Sequence, residues 1–211
     1  MYVTLDDVKQ ALTLPDFDGR AAQRHMMPAL RANFRPRERE GQPRLGGVLL
    51  LLYCHDDELH LLFTRRRDDL PSHAGQISFP GGRCEPAEPF LTTALRETDE
   101  EIGVPPHMLT VLGALTPIYI LPSDFEVHPF VAWHSDGHRP HFNPSLTEVA
   151  ELIEAPLYHL LNPANRHEEI WDFRGMEMLV PFFDVHGHQV WGATAMMLSE
   201  FLERLRLGMK W

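Results

Sequence analysis

The chain has 211 residues, enough for one domain with an extension or at most two small domains. Its 44% hydrophobic content supplies a sizeable core, and its formal net charge of −11 argues against broad electrostatic binding to nucleic acid or to an anionic membrane. A small phosphorylated ligand stays compatible with that charge, because a bound metal or a local basic cluster reverses the field near it.

Cysteine content and the N-terminus bear on location. Cys54 and Cys84 are the only cysteines, and they do not have a metal-binding or redox spacing. The mixed, acidic N-terminus is unlike a signal peptide, and the longest apolar run, Val48 to Tyr53, is too short to span a bilayer. We therefore expect a soluble cytoplasmic protein with free thiols.

The first 42 residues predict a helical extension. Thr4 and Asp7 have the spacing of a capping box at the start of a helix. A second helical stretch, interrupted by Pro28, is predicted from Gly19 to Asn33. The segment 35–44, RPREREGQPR, is charged and contains proline, so it indicates a connector into the next part of the chain.

Residues 43–208 predict the main domain, which begins with strands. The run from Val48 to Cys54 is continuously apolar and of strand length, which is typical of a strand covered on both faces. A turn at 55–57 leads into a second strand, ELHLLFTRR. Further runs of strand character lie at 77–79, 111–115, 126–133, 149–154, 169–173 and 178–183.

Two helices complete this domain, one from about Ala87 to Ile102 and an amphipathic one from Gly192 to Leu207. Strands, a helix, more strands and a final helix do not make a regular βαβ alternation. The sequence therefore predicts an α+β fold, with a mixed β-sheet sandwiched between helices and an N-terminal helical extension.

An unusual cluster of acids ends the first of these helices. Glu97, Glu100 and Glu101 fall at i, i+3 and i+4, so their side chains share one face and repel one another. Gly103 marks the helix end, where the helix dipole also disfavours anions. A cluster that is unfavourable on both counts indicates a cation-binding site.

The acids belong to a longer spaced pattern. It resembles the Nudix box, Gly-x5-Glu-x7-Arg-Glu-U-x-Glu-Glu-x-Gly-U, in which U is a bulky aliphatic residue. Thr98, at the first U, is the one departure, and its methyl group can pack in the same place. The matching residues are Gly82, Glu88, Arg96, Glu97, Glu100, Glu101, Gly103 and Val104.

The resemblance implies a loop–helix–loop that holds Mg²⁺ or Mn²⁺ against a diphosphate. Glu97 and Glu101 are the best pair to ligate one ion, while Glu100 holds a second ion or orients the attacking water. The metal would neutralise phosphate charge and lower the pKa of that water. Arg96 is assigned to structure, either pairing with Glu88 or lying free at the surface.

The segment just upstream, LFTRRRDDLPSHAGQISFPGG at 62–82, indicates the substrate. It resembles the signature of coenzyme A pyrophosphatases within the Nudix superfamily, with Leu62, Thr64, Arg66, Gly75, Phe79, Pro80, Gly81 and Gly82 in register. The substrate-binding residues that the resemblance implies are Arg65, Arg66, Arg67, His73, Gln76, Ser78, Phe79, Gly81 and Gly82.

Two departures from this signature concern charge. Pro71 occupies the position of the second signature arginine, and Arg67 stands where a small residue is usual. If that arginine holds the 3′-phosphate of coenzyme A, then Arg65 or Arg67 must take its place. On a strand these two share a face and Arg66 points the other way.

One more acid is a candidate. Glu148 opens a predicted strand, and a glutamate in this region supplies an extra metal ligand or a base in several relatives of the superfamily. The alternative is an ordinary acid at the edge of a strand.

The resemblance implies metal-dependent hydrolysis of coenzyme A, or of its acyl derivatives, to 3′,5′-ADP and 4′-phosphopantetheine or its acyl form. Alternatives are hydrolysis of another nucleoside diphosphate derivative, such as ADP-ribose or a dinucleotide, and a binding domain of the same fold without hydrolysis. The expected partner is a small molecule, and a homodimer stays open.

Overall fold

The computed structural model describes residues 3–30, 41–70, 73–173 and 175–209. Across these ranges the helices are α1 Leu5–Leu12, α2 Gly19–Arg24, α3 Phe90–Ile102, α4 Leu157–Leu161 and α5 Gly192–Gly208. The strands are β1 Ala29–Leu30, β2 Arg44–His55, β3 Glu58–Arg66, β4 Ile77–Ser78, β5 Gly81–Arg83, β6 Leu109–Ala114, β7 Ile118–Ile120, β8 Phe125–His138, β9 Val149–Pro156, β10 Arg166–Phe173, β11 Met176–Val185 and β12 His188–Trp191. No helix in these ranges has the length and apolarity to cross a membrane.

The strands form two sheets. In the larger one, with eight strands, β2 runs parallel to β8 and antiparallel to β3 and β5, and β9 pairs with the other edge of β3. In the smaller one, with four strands, β11 pairs antiparallel with β1, β10 and β12. The predicted α+β fold with a mixed sheet is confirmed.

The continuous apolar run becomes the centre of the larger sheet. Leu49 and Leu51 on β2 belong to an apolar cluster with residues of α3. Leu50 and Leu52 face the other way and belong to the larger core cluster, which includes the apolar side of α5. All four leucines are fully buried. The strand is apolar on both faces because a helix covers each of them.

The N-terminal extension is helical, but less so than the sequence predicts. The capping box is present, since the Asp7 amide donates to Thr4 Oγ1 (3.2 Å) and the Thr4 amide to the Asp7 carboxylate (2.8 Å). The predicted helical stretch begins at Gly19 as expected, but α2 ends at Arg24, before Pro28, and β1 follows instead of more helix. Pro28 lacks the amide hydrogen that a helix interior needs. Residues 31–40, including most of the predicted connector, lie outside the described ranges.

A buried glutamate joins α2 to the rest of the protein. Glu200 on α5 is 0% exposed, and its carboxylate accepts hydrogen bonds from Gln23 Nε2 at 2.8 Å and from the Thr116 amide at 3.1 Å. Arg204, one turn further along α5, donates to the same carboxylate at 3.0 Å. A buried charge needs this number of partners to offset its lost hydration. The network therefore holds α2, α5 and the chain after β6 together.

Replacing Glu200 with alanine is expected to lower the free energy of unfolding by about 3 kcal/mol, because it leaves Arg204 buried without its carboxylate. Urea unfolding of the metal-free protein measures this. Glu203→Ala is the matched control, since Glu203 lies on the same helix and pairs with Arg206 at a partly exposed position (2.7 Å). Its loss is expected below about 1 kcal/mol. Equal losses in the two variants would contradict the role given to Glu200.

Candidate active site

The acidic helix ends where the sequence predicts. Gly103 follows α3 with φ of 72°, and its amide donates to the Asp99 carbonyl at 2.8 Å. This left-handed conformation favours glycine, and a Cβ there would also lie 2.8 Å from the Asn143 Cβ. The glycine therefore lets the loop after β8 approach the helix end.

The helix begins later than predicted, at Phe90 rather than near Ala87. Ala87 has φ of 63°, which no helix accommodates, and the following turn leaves Glu88 outside α3. The Glu85 amide donates to the Glu88 carboxylate at 3.0 Å and fixes that turn. The Glu88 side chain is thus held in the turn before α3 and does not point away from the helix.

Arg96 makes the pair with Glu88 that the spacing suggests. Its Nε lies 2.9 Å from Glu88 Oε1 and its Nη2 3.1 Å from Oε2. This contact, together with hydrogen bonds from the Glu85 amide and the Thr93 hydroxyl, lowers the pKa of Glu88 to about 2. Arg96 Nη1 also donates to Glu97 Oε1 at 2.8 Å. One arginine therefore ties the turn before the helix to a box glutamate.

Glu97 and Glu101 point at the glycine turn that opens β5. A Cβ on Gly82 would lie 2.4 Å from the Glu97 carboxylate carbon, so a side chain there would displace that carboxylate. The Gly81 amide donates to Glu101 Oε2 at 3.3 Å. The side chains of Glu97 and Glu101 are 18% and 6% exposed. Two carboxylates one helical turn apart are thus buried together against backbone.

Neighbouring groups offset only part of the cost of burying these two carboxylates. Burial raises the pKa of Glu101 to about 8, and the neighbouring Glu97 charge acts in the same direction. The Gly81 amide and the Arg66 guanidinium oppose that rise. Burial also raises the pKa of Glu97, against the pull of Arg96. A cation placed between the two carboxylates would remove this cost.

Arg66 and Glu148 complete the surroundings of Glu101. Arg66 Nη1 lies 3.8 Å from Glu101 Oε1 and 3.9 Å from Glu148 Oε2, which is too long for a hydrogen bond. The buried Nε of Arg66 has no hydrogen-bond partner. Arg66 therefore supplies positive charge to the cluster without neutralising either acid fully.

Glu148 reaches the cluster because its loop caps α3. The Asn143 and Ser145 amides donate to the carbonyls of Ile102 and Glu101, each at 2.9 Å. These are carbonyls that a helix leaves unpaired at its C-terminal end. Glu148 lies three residues after Ser145 in the sequence, and its side chain is about half exposed. The structure thus brings this predicted candidate beside Glu97 and Glu101.

The donor set fits Mg²⁺ or Mn²⁺ bound with water and substrate. Within the described ranges, no group of three or more His, Cys, Asp or Glu residues is placed to hold a metal alone. Mg²⁺ in phosphate-cleaving sites is bound by one or two carboxylates, and water and phosphate oxygens supply its other ligands. The Glu97–Glu101 pair can supply the two carboxylates. Glu100 does not converge with this pair, since it is 59% exposed and accepts from Arg96 at 3.1 Å.

The three consecutive arginines point to two sides of the strand. Arg65 donates to both oxygens of Asp68 (2.7 and 2.8 Å), and Arg67 donates to both oxygens of Asp69 (2.8 and 2.7 Å). Arg66 points to the opposite side, toward Glu101. Two of the three charges are thus already paired at the surface. Pro71 lies outside the described residues.

The rest of the signature segment divides into a turn and a core residue. His73 Nδ1 lies 2.8 Å from Gln76 Oε1, and Ser78 Oγ lies 3.4 Å from Thr64 Oγ1. Phe79 is 1% exposed and stacks on Phe63, with ring centroids 4.9 Å apart. The ring of Phe79, which the resemblance assigns to substrate binding, is enclosed in the core.

Sequence reasoning missed a cavity of about 490 Å³ between the β3–β4 region and the smaller sheet. Arg65 lines it from one side, and residues of β10, β11 and β12 line it from the other. Those strands were predicted in part, but a one-dimensional pattern does not tell which distant surface they will face.

Comparison with known proteins identifies the family. The NUDIX domain model matches residues 43–172. An uncharacterized Nudix hydrolase, NudL, of Photorhabdus laumondii is 34% identical over 173 residues, which cover 82% of this chain and 90% of that protein. A probable nudix hydrolase of Schizosaccharomyces pombe is 35% identical over 81% of this chain, and the match spans only 59% of that longer protein.

Solved structures support the fold. A Nudix hydrolase from M. smegmatis, RenU, has a TM-score of 0.52 at 16% identity, covering 81% of this chain and 88% of the other. A MutT protein from Methanosarcina mazei has a TM-score of 0.51 at 19% identity, covering 82% of this chain and all of the other.

The raised pKa of Glu101 predicts how stability depends on pH. The unfolded carboxyl ionises near 4.5 and the folded one near 8, so the folded state holds an extra proton between these values. Stability must therefore fall as pH rises through this window. We expect wild type, in metal-free buffer with a chelator, to lose melting temperature relative to Glu101→Gln from pH 5 to pH 8.

Asp99→Asn is the matched control for this measurement, because Asp99 is an exposed acid on the same helix. Its melting temperature should follow that of the wild type across the whole range. Parallel curves for wild type and Glu101→Gln would show that Glu101 ionises normally.

Proposed function

Because the chain belongs to the Nudix family of hydrolases, we propose that it cleaves the diphosphate of coenzyme A or its acyl derivatives. The products are 3′,5′-ADP and 4′-phosphopantetheine or acyl-phosphopantetheine. The observation that carries the hydrolytic part is the burial of Glu97 and Glu101 against the Gly81–Gly82 turn. The neighbouring positive charges and hydrogen-bond donors offset only part of the negative charge of these two carboxylates. The signature at 62–82 carries the choice of substrate.

Glu97 and Glu101 would hold Mg²⁺ or Mn²⁺ in this proposal. A divalent ion bound there supplies charge neutralisation for the diphosphate and a lowered pKa for the attacking water. Glu148 is half exposed beside the pair and would accept the proton of that water, while Glu100 would orient it from the rim or bind a second ion. Arg66, with only long contacts to carboxylates, would donate to phosphate oxygens.

Arg65 is the residue that we assign to the 3′-phosphate of coenzyme A. It lines the cavity beside β4, whereas Arg67 does not. Its carboxylate partner Asp68 is 70% exposed, so a phosphate carrying more charge can displace that partner at little cost. Arg65 thereby takes the part of the signature arginine that Pro71 replaces.

A nucleoside diphosphate derivative without a 3′-phosphate, such as ADP-ribose or a dinucleotide, is the second candidate substrate. The pairing of Arg65 and Arg67 with aspartates favours it, because neither guanidinium is free in advance. A binding domain without hydrolysis is disfavoured, since every glutamate of the box is present. We place the reaction in the cytoplasm as part of the same proposal, in keeping with the free thiols of Cys54 and Cys84.

Wild-type protein with coenzyme A and Mg²⁺ should release 3′,5′-ADP, measured by chromatography of the products, and a chelator should stop the reaction. Glu97→Gln and Glu101→Gln should each lower kcat by about 10²-fold or more, as expected for groups that act directly on the reaction. Asp99→Asn on the same helix should keep wild-type activity. An active parent matched by Glu101→Gln, or a parent inactive on every diphosphate, would end the proposal.

Replacing Arg65 with alanine should lower kcat/KM for coenzyme A about 10-fold, in line with the loss of one charge-assisted contact, and leave 3′-dephospho-coenzyme A almost unaffected. Arg67→Ala is the control, because it removes an arginine with the same aspartate pairing that lies outside the cavity. Equal rates of wild type on the two substrates would instead favour the second candidate substrate.

A further inference from the structure

The cavity between the two sheets has two chemically different walls. Arg65, Gly75 and Ile77 form one wall, which belongs to the signature segment and its strands. The other wall comes from the smaller sheet. Thr194, at the start of α5, donates to the Ile77 carbonyl at 3.0 Å and fixes the distance between the walls. The space is thus bounded by packed secondary structure.

The wall on the smaller sheet carries a row of rings. The strand register places His167 opposite Phe182 and Phe182 opposite Trp191, so all three side chains lie on one face of the sheet. His167 stacks on Phe182 with ring centroids 5.4 Å apart. Trp171, on the same face, stacks on Phe182 at 6.0 Å and meets Trp191 edge-on at 5.3 Å. The cavity is thus bordered by packed aromatic rings, which are suited to contact another ring.

Two carboxylates border this row of rings. Glu169 accepts from the Trp171 indole at 3.0 Å, and Asp184 accepts from the Gly187 amide at 2.8 Å. A carboxylate has about four acceptor positions, so each keeps capacity for another donor. Their charge repels phosphate from this wall and favours an uncharged ring that carries N–H groups.

We propose that this wall binds the adenine base of the substrate, with the ring against Trp191 and the exocyclic amine donating to Glu169. The inference rests on the proposed function, and it places the adjoining 3′-phosphate on the Arg65 wall. Phe182, Asp184 and Trp191 all lie beyond residue 172, where the family match ends. The wall is therefore built in part from a segment outside the matched domain, while Glu169 lies inside it.

Binding without turnover tests this inference. Adenosine 3′,5′-bisphosphate and its inosine analogue are titrated into wild-type protein in the presence of a chelator, by calorimetry. Inosine replaces the amine with a carbonyl oxygen, which faces the carboxylates unfavourably, so about 10-fold weaker binding is expected. Glu169→Ala should reduce this difference at least threefold, and Trp191→Leu should weaken both ligands about 10-fold through lost stacking.

Glu168→Ala is the matched control, because Glu168 is the preceding residue on β10 and points to the opposite face, where it pairs with Arg166 at 3.3 Å. It should leave both affinities unchanged. If Trp191→Leu does not fold, Glu169→Ala still tests the inference, because Glu169 lies at an exposed position. An adenosine-to-inosine ratio that is near one in the wild type, or unchanged in Glu169→Ala, would overturn the inference.

Pantetheine is titrated in the same way to test the other end of the substrate. The inference requires that its binding does not respond to Glu169→Ala or Trp191→Leu, and a response would assign the cavity to that end. Because no hydrolysis is measured, a protein that fails to cleave coenzyme A can still show adenine binding at this wall. The proposed function and the adenine site therefore fail through different observations.

Discussion

The structure of the site depends on holding two like-charged carboxylates out of water at one end of a helix. Burial alone would protonate Glu101 at neutral pH, and the neighbouring Glu97 strengthens that tendency. The surrounding residues partly counter it through the Gly81 amide, the Arg96 contact to Glu97 and the distant guanidinium of Arg66. Because these contacts neutralise the two carboxylates only in part, the site keeps negative charge that a divalent cation can bind.

Strand β3 separates two tasks that the linear sequence presents together. Its alternation sends Arg66 to the carboxylates and Arg65 to the cavity, so adjacent residues serve a reacting centre and a recognition surface. The signature turn at 73–76 joins the two, because Gly75 lines the cavity and the Gln76 carbonyl accepts from the Arg66 amide at 2.9 Å.

Local patterns in the sequence predicted the parts of the protein that local physics determines. The spacing of Glu97 and Glu101, the helix end at Gly103 and the apolar run of β2 depend on neighbours within a few residues. The burial of the Phe79 ring was not predicted, because a signature position does not reveal which way a side chain faces in three dimensions. The aromatic wall at Trp191 was missed for a related reason, since it meets Arg65 only through long-range packing of the second sheet.

The network around Glu200 also shows where the folded unit has its boundary. The family match begins at residue 43, yet Gln23 completes the coordination of a fully buried carboxylate, and β1 adds an edge to the smaller sheet. A chain shortened to begin at residue 43 would leave the Glu200 carboxylate inside the core without one of its hydrogen-bond donors. The packed unit is therefore larger than the matched domain and takes in residues from before and after it.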